Sequence, residues 1–499
     1  MQQKKHNYIV IGGGISGLVI AYRLAKKKRN SILLFERLPR LGGKIDTEIY
    51  THCDDTFLME RGASRFHMGQ SQLILLLDEL GLDNDIIRYP SEITSGESLY
   101  PLLRSISSQI IEGNKQKMNK ITFMEYVETH ETDIIVKRLK KYTYYETLSE
   151  GNALYTAHHI LDNYGKTQYY TLRHGLSSII KTLVSKLDSM SNVEIKCDMN
   201  AIDVVKKKGV IHVMFQDDIQ YTSNAIICAV PGKYLSGFSL FTNLKSEIDS
   251  VHYKTLNRIY AILPSTAKYF HEEKVITSSK KLNTMKMLNK RQSLVSYCDG
   301  ECARKWFSAS SKNKVDVSVT NELSKISDHD IKPVKTWSYY WPNSLGLWKP
   351  NVDYRKIYRK MLNPLKNVYV CGDTFSMDQC WIEGSIATTN KVVEICNKRS
   401  SRSKTCKKYN KMNGGSKKYT MSEVKKHDRR DDGWIVLYNK VYDVTDWIDK
   451  HPGGAIIEEY LGKDGTRMFE GSKHPEYVVT SILPKYLIGI LTGKTRKNH

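Results

Sequence analysis

The sequence predicts an α/β domain with an α+β part interleaved through it, followed by a small separate α+β module. Three observations carry this prediction. Residues 8–35 read as strand, glycine-rich turn, helix and strand. Residues 397–418 hold nine Lys/Arg and no acid around Gly414-Gly415-Ser416, the composition of a self-repelling linker. Residues 419–491 then return to a compact, mixed composition. At about 150 residues per domain, 499 residues exceed one ordinary domain.

Composition excludes several classes. With 40% hydrophobic and 26% charged residues the chain is neither mostly disordered, nor collagenous, nor a membrane bundle. The balance of 76 Lys+Arg against 53 Asp+Glu, a net +23, favours anionic partners: nucleic acid, a membrane surface or an acidic protein. A plain lysine-rich bias, with abundant Asn, Ile and Tyr, accounts for it equally well. The basic linker is where nucleic-acid or anionic-surface contact would fall. Nine cysteines, an odd number without CxxC or zinc spacing, read as reduced thiols. No run of about 18 apolar residues offers a transmembrane span. The glycines within 8–20 argue against a signal peptide. An intracellular, cytoplasmic protein is expected.

Tyr8-Ile9-Val10-Ile11 is the first strand, and residues 31–35 are the second. Between them Gly12-x-Gly14-x-x-Gly17 opens a helix, with Ser16 inside the turn. Gly12 permits the tight turn, Gly14 lets backbone approach a pyrophosphate, and Gly17 lets helix and strand pack closely. Glu36 ends the second strand, 19 residues after Gly17, where a carboxylate accepts from ribose hydroxyls. Leu73, Leu76, Leu77 and Leu80 mark a helical core face. Residues 85–165 are polar, mixed and helical in character. A helix is expected over 175–187, with strands near 193–195, 210–215 and 225–230, the last stopped by Pro231. Residues 240–355 are rich in aromatics, including Trp306, Trp337, Trp341 and Trp348. A strand at 368–371 leads into Gly372-Asp373, and a helix follows from about Gly384. The nucleotide-binding parts are thus placed at about 1–80, 170–235 and 365–396, and the substrate part at about 85–170 and 236–360.

The glycine triplet alone does not separate FAD from NAD. Further blocks do so by resemblance. Leu41-Gly42-Gly43-Lys44, Met59-Glu60-Arg61-Gly62-Ala63-Ser64-Arg65-Phe66-His67, the strand ending at Pro231, Gly372-Asp373 and Cys380-Trp381-Ile382-Glu383-Gly384 follow one another as in the flavin amine oxidase superfamily. The chain resembles that superfamily over about 7–396. The resemblance implies an α/β Rossmann-type FAD-binding domain. It implies FAD contacts at Gly12, Gly14, Ser16, Gly17, Glu36, Gly42, Gly43, Lys44, Gly62, Ala63, Ser64, Arg65, Ile202, Gly372, Asp373 and Ile382. It matches Trp381 and Trp348 to the two walls of an aromatic cage that orients an amine; both also fit as core tryptophans. Leu347 stands where covalent-flavin members carry cysteine, so FAD is expected to be non-covalent. Arg258 replaces a lysine that many members place near flavin. Arg65 matches a carboxylate-gripping arginine of amino-acid oxidases, and His67 a histidine of the polyamine branch.

Residues 419–491, with Asp446-Trp447, His451-Pro452-Gly453-Gly454 and His474, resemble cytochrome b5, a small α+β domain. The resemblance implies haem b with His451 and His474 as axial ligands, although Pro475 departs from the usual small polar residue. The module holds ten basic and twelve acidic residues, against a basic remainder. Residues 492–499 form a basic tail. The expected activity is hydride transfer from an amine or amino acid to FAD, with O2 or the tethered haem as electron acceptor. The alternatives are C–C desaturation by the same flavin, or a non-catalytic basic binding protein.

Overall fold

The computed structural model describes residues 6–89, 99–142, 146–165, 168–267, 275–276, 285–289, 291–311, 314–327, 330–402, 417–451, 454–471, 478 and 482–492. It divides into two units, 1–400 and 401–499. In the first, the strand His6–Ile11 lies between Ile32–Phe35 and Gln220–Cys228, parallel to both. Val193–Lys196 extends the sheet on one side, and Val368–Val370 pairs in parallel with Gln220–Cys228. Alternation sorts the side chains: Ile9, Ile11, Leu33 and Phe35 enter one core, while Val10, Ile32 and Leu34 enter the other. Burial on both faces is why these strands read as unbroken apolar runs.

A second sheet carries the cavity. Val251–Ile262 runs antiparallel between Gln292–Asp299 and Lys335–Trp348. Helices Tyr100–Glu112, Phe123–His130 and Ala153–Asn163 fill the stretch expected to be helical. Thr122 starts the second of these with a capping box, its side chain taking the Glu125 N–H while Glu125 takes the Thr122 N–H.

The helices Ser71–Leu80 and Ser177–Asp188 and the strands Val193–Lys196 and Val210–Met214 agree with expectation within two residues. Three features differ. The hairpin Thr47–His52 with Asp55–Glu60 turns through Cys53 and Asp54, both at positive φ (49° and 65°), without the Asn-Gly signature of such turns. The strand expected at 225–230 begins at Gln220, because its first half pairs antiparallel with Val210–Met214. The last helix runs Ile382–Arg402, six residues into the stretch read as linker, and residues 403–416 lie outside the described residues.

The second unit is a sheet in the order Lys417–Tyr419, Leu487–Leu491, Lys440–Asp443, Asp432–Leu437, Asp428–Arg429. Its apolar cluster centres on Ile435, Leu437, Tyr442, Val444, Ile448, Leu461 and Leu483. Among the described residues of the whole chain, no helix is long and apolar enough to cross a membrane.

Candidate active site

Backbone geometry builds the nucleotide end of the first unit. Gly12 takes φ +106°, and a Cβ there would stand 2.6 Å from the Ala229 carbonyl oxygen. A Cβ at Gly17 would stand 1.8 Å from the Gly12 carbonyl oxygen, so helix Ile15–Ala25 can pack here only on glycine. Ser16 is buried in that helix's first turn. Gly14 and Gly42 form a parallel bridge, and Gly42 N–H donates to the Gly13 carbonyl at 2.8 Å. The two glycine loops therefore lie side by side. A Cβ on Gly14 would meet only Gly43 Cα, at 3.9 Å, which is the open backbone approach that a pyrophosphate needs. Glu36 is buried and accepts from Gly13 N–H (2.6 Å) and Leu38 N–H (3.0 Å). Its remaining lone pairs are available to ribose hydroxyls.

Gly62 packs against the turn after Gly43: its Cβ would stand 2.1 Å from the Lys44 carbonyl oxygen, and Ala63 N–H donates to that oxygen at 3.0 Å. Lys44 Nζ pairs with Asp373 (2.9 Å) and donates to the Ser344 carbonyl (2.8 Å). Gly372 sits at φ +141° with space beside it, and its N–H donates to Thr388 Oγ1 at 2.9 Å. These loops fit the phosphate and ribityl run of a dinucleotide.

A cavity opens next to them. Its lining brings together Ala63, Ser64, Arg65, Arg258, Trp381 and Ile382. Helix Ile382–Arg402 begins at this wall, presenting its N-terminal partial positive charge. Glu383, in that first turn, accepts from Gln72 N–H and Leu73 N–H (2.9 Å each) and so caps helix Ser71–Leu80. Burial holds its carboxyl up at about 7.

Arg258 is buried on the strand Val251–Ile262. It donates to Ser64 Oγ (3.0 Å) and the Glu60 carbonyl (3.2 Å), and lies 4.2 Å from the Tyr297 ring centroid. It thereby clamps the 60–64 block onto the second sheet. Arg65 lies 4.3 Å over the Tyr169 ring, and Tyr169 in turn stacks on Trp381 (6.4 Å, 6°). No Asp or Glu stands among the described lining residues of this cavity, whose walls include the guanidinium groups of Arg65 and Arg258.

Three residues sit elsewhere than the resemblance implied. Trp348 is fully buried, its indole N–H donating to the Ser376 carbonyl at 3.2 Å. Leu345 and Leu347 line the cavity instead, because alternation along Lys335–Trp348 turns 345 and 347 to one face and 348 to the other. His67 is buried behind the wall, edge-on to Trp381 at 5.9 Å, with Nε2 3.2 Å from Asn163 Oδ1. Ile202 is 48% exposed beside the edge strand Asp203–Lys207; among the described contacts none joins it to the glycine loops.

Other lining residues come from segments without a motif. Tyr164 stands edge-on to Trp381 (6.1 Å) and His159 edge-on to Tyr164 (5.6 Å). His159 is 3% exposed, and burial pushes its pKa down to about 3. The signal available in the sequence was the spacing of Tyr155, His159 and Asn163 on one helical face.

In the second unit His451 follows the turn Thr445–Lys450, and its backbone N–H bonds to Ile448. Ile457, Tyr460, Phe469 and Val478 are partly buried on the apolar cluster, walls suited to a flat macrocycle. Pro452, Gly453 and His474 lie outside the described residues, so the second axial ligand stands on the sequence alone.

Comparison with known proteins decides the family. Residues 117–394 match the flavin containing amine oxidoreductases, more than half of the chain. The chain belongs to that family. Residues 10–80 match the NAD(P)-binding Rossmann-like domain, and residues 420–492 the cytochrome b5-like heme/steroid binding domain. The flavin amine oxidoreductase unit takes FAD, and the C-terminal domain takes haem. A redesigned putrescine oxidase shares the fold, with TM-score 0.64 and 15% identity over 79% of this chain and 99% of that one. An acyl-lipid (8-3)-desaturase of Physcomitrium patens is 49% identical over 75 residues, 15% of each chain. An L-lactate dehydrogenase (cytochrome) of Wickerhamomyces anomalus is 42% identical over 72 residues, 14% of this chain and 13% of that one. The chain thus spans less than a sixth of either relative's length.

Proposed function

We propose that the first unit oxidises an amino acid at the carbon bearing its amino group, with the C-terminal haem as electron acceptor. The observation that carries the reading is the cavity, with Arg65 and Arg258 among its walls and Trp381 at the start of helix Ile382–Arg402. A polyamine, being a polycation, meets two like charges there. An amino acid brings a carboxylate that a guanidinium fork binds in two parallel hydrogen bonds. When bound, the flavin supplies a two-electron hydride acceptor and the haem a one-electron carrier.

The chain's own residues then have distinct tasks. Gly12, Gly14, Gly42, Gly43, Glu36, Lys44, Gly372 and Asp373 would hold the dinucleotide. Arg65, held over Tyr169, binds the carboxylate. Trp381 presents an apolar wall that excludes water and fixes the approach of the amine. Arg258, committed to Ser64 and the Glu60 carbonyl, keeps the 60–64 block in register and adds fixed positive charge.

The haem domain carried by the same chain supports the haem as acceptor. The desaturase match covers 15% of each chain and carries no argument about a lipid substrate. Neither family match bears on nucleic-acid contact by the linker, most of which lies outside the described residues. The test is anaerobic titration of the purified holoprotein with amino acids and their decarboxylated amines. Flavin bleaching by amino acids at much lower concentration is expected. Bleaching by polyamines alone, or by neither class, refutes the reading.

A further inference from the structure

His159 lines the cavity, is 3% exposed, and has its Nε2 buried without a hydrogen-bond partner among the described residues. Its other nitrogen fixes where the ring proton sits. Asn163 Nδ2 lies 3.3 Å from the His159 carbonyl oxygen and 3.5 Å from His159 Nδ1. A carbonyl only accepts, so the atom facing it is the amide NH2. The amide oxygen of Asn163 is then the atom facing His67 Nε2, at 3.2 Å, and it accepts there. With a donor at His159 Nδ1, that nitrogen accepts and the proton resides on Nε2. The ring plane is held by stacking on Tyr155 (5.8 Å, 17°) and an edge contact with Tyr164 (5.6 Å), and the contact of Asn163 with Nδ1 sets which way the ring faces within that plane. Burial keeps the imidazole neutral. A neutral N–H donor is therefore carried by a buried lining residue, on the ring nitrogen that Asn163 does not occupy.

We propose that His159 is a specificity-determining residue whose Nε2–H donates to an oxygen of the substrate. The inference rests on reading this cavity as the substrate site. A buried donor facing an apolar group loses its water without compensation, so a substrate lacking the oxygen is disfavoured. The oxygen belongs either to the carboxylate, shared with Arg65, or to the side chain, and three probes separate these sources. L-leucine against 3-methylbutylamine reads the carboxylate. L-asparagine against L-leucine, close in shape, reads a side-chain oxygen.

The experiment is anaerobic stopped-flow reduction of the holoprotein, comparing wild type with His159→Phe and His159→Gln. Phenylalanine keeps the stack and drops the N–H; glutamine restores a donor. His159→Phe is expected to shrink one of the two probe ratios about tenfold or more. His159→Gln should hold that ratio within about threefold. Both ratios unchanged in His159→Phe overturns the inference and leaves the ring as packing around an internal water. A wild type that no probe reduces removes the oxidase reading and this inference with it. Should His159→Phe fail to fold, 15N NMR of histidine-labelled wild-type holoprotein decides. Protonation at Nε2 with a signal that moves on saturation by a probe is expected; protonation at Nδ1 or an unmoved signal overturns the inference.

Discussion

The nucleotide end and the substrate cavity are built by different means. At the nucleotide end the backbone does the work, and its residues fall in short windows: 12–17, 36, 42–44 and 372–373. At the cavity, side chains converge from 63–65, 147–164, 258, 297, 345–347 and 380–382. Most of the first set have no side chain to misplace. Each of the second depends on register, helix face and the packing of a distant element. An end built from backbone tolerates little at the glycines that touch it, whereas an end built from side chains is tuned one residue at a time.

The sharpest way to break this comparison is a pair of glycine variants. Gly17→Ala forces a methyl to 1.8 Å from the Gly12 carbonyl oxygen and is expected to cost about 4 kcal/mol or more in unfolding free energy. Gly14→Ala meets only an ordinary contact at 3.9 Å, in a φ of −73° that alanine accepts. It should leave apo stability within about 0.5 kcal/mol while lowering flavin content. Equal stability losses in denaturant unfolding would show that the loops are not held as described.

A smaller effect is expected at the cavity. Arg65→Met should raise KM for amino acids roughly 10- to 150-fold, from the loss of about 1.5–3 kcal/mol of charge-assisted bonding, and leave simple amines little changed. Equal losses for both classes would make Arg65 a structural support for Tyr169. Leu347 lines the cavity and offers no thiolate, so acid precipitation should release a yellow supernatant; a yellow pellet would contradict non-covalent FAD.

The smallest effect is a pH slope. Burial holds the Glu60 carboxyl up at about 7, against the hydrogen bonds it accepts from Leu176 N–H and Thr47 Oγ1. A raised folded pKa gives stability that is full below the unfolded value of about 4.3 and is lost as pH rises through about 7. Wild-type Tm should therefore fall between pH 5 and 8 by about 2–4 °C more than that of Glu60→Gln. Parallel Tm curves would remove Glu60 from the account.

The same contrast explains what was legible in the sequence. The β-α-β opening was, because doubly buried strands and steric glycines leave local marks. The Lys44–Asp373 pair joins two motifs already visible, although no spacing foretold the contact. The hairpin at Cys53-Asp54 was not legible, since Cys53 is not a usual choice for positive φ and no glycine follows Asp54. Trp348 was matched by motif, but strand alternation hands the cavity to Leu347. Arg258 was recognised as a departure, whereas its grip on Ser64 and Glu60 depends on sheet packing across almost 200 residues. His159 lay inside a helix whose apolar pattern concealed one polar face.

Binding of an aromatic carboxylate measured through the flavin spectrum tests the central claim most directly. Benzoate, which is not oxidised, should perturb flavin absorbance saturably in wild type. In Arg65→Met with undiminished flavin content, half-saturation should rise at least about tenfold. No perturbation in wild type, or the same titration curve in both proteins, would contradict a carboxylate site in the cavity beside the flavin.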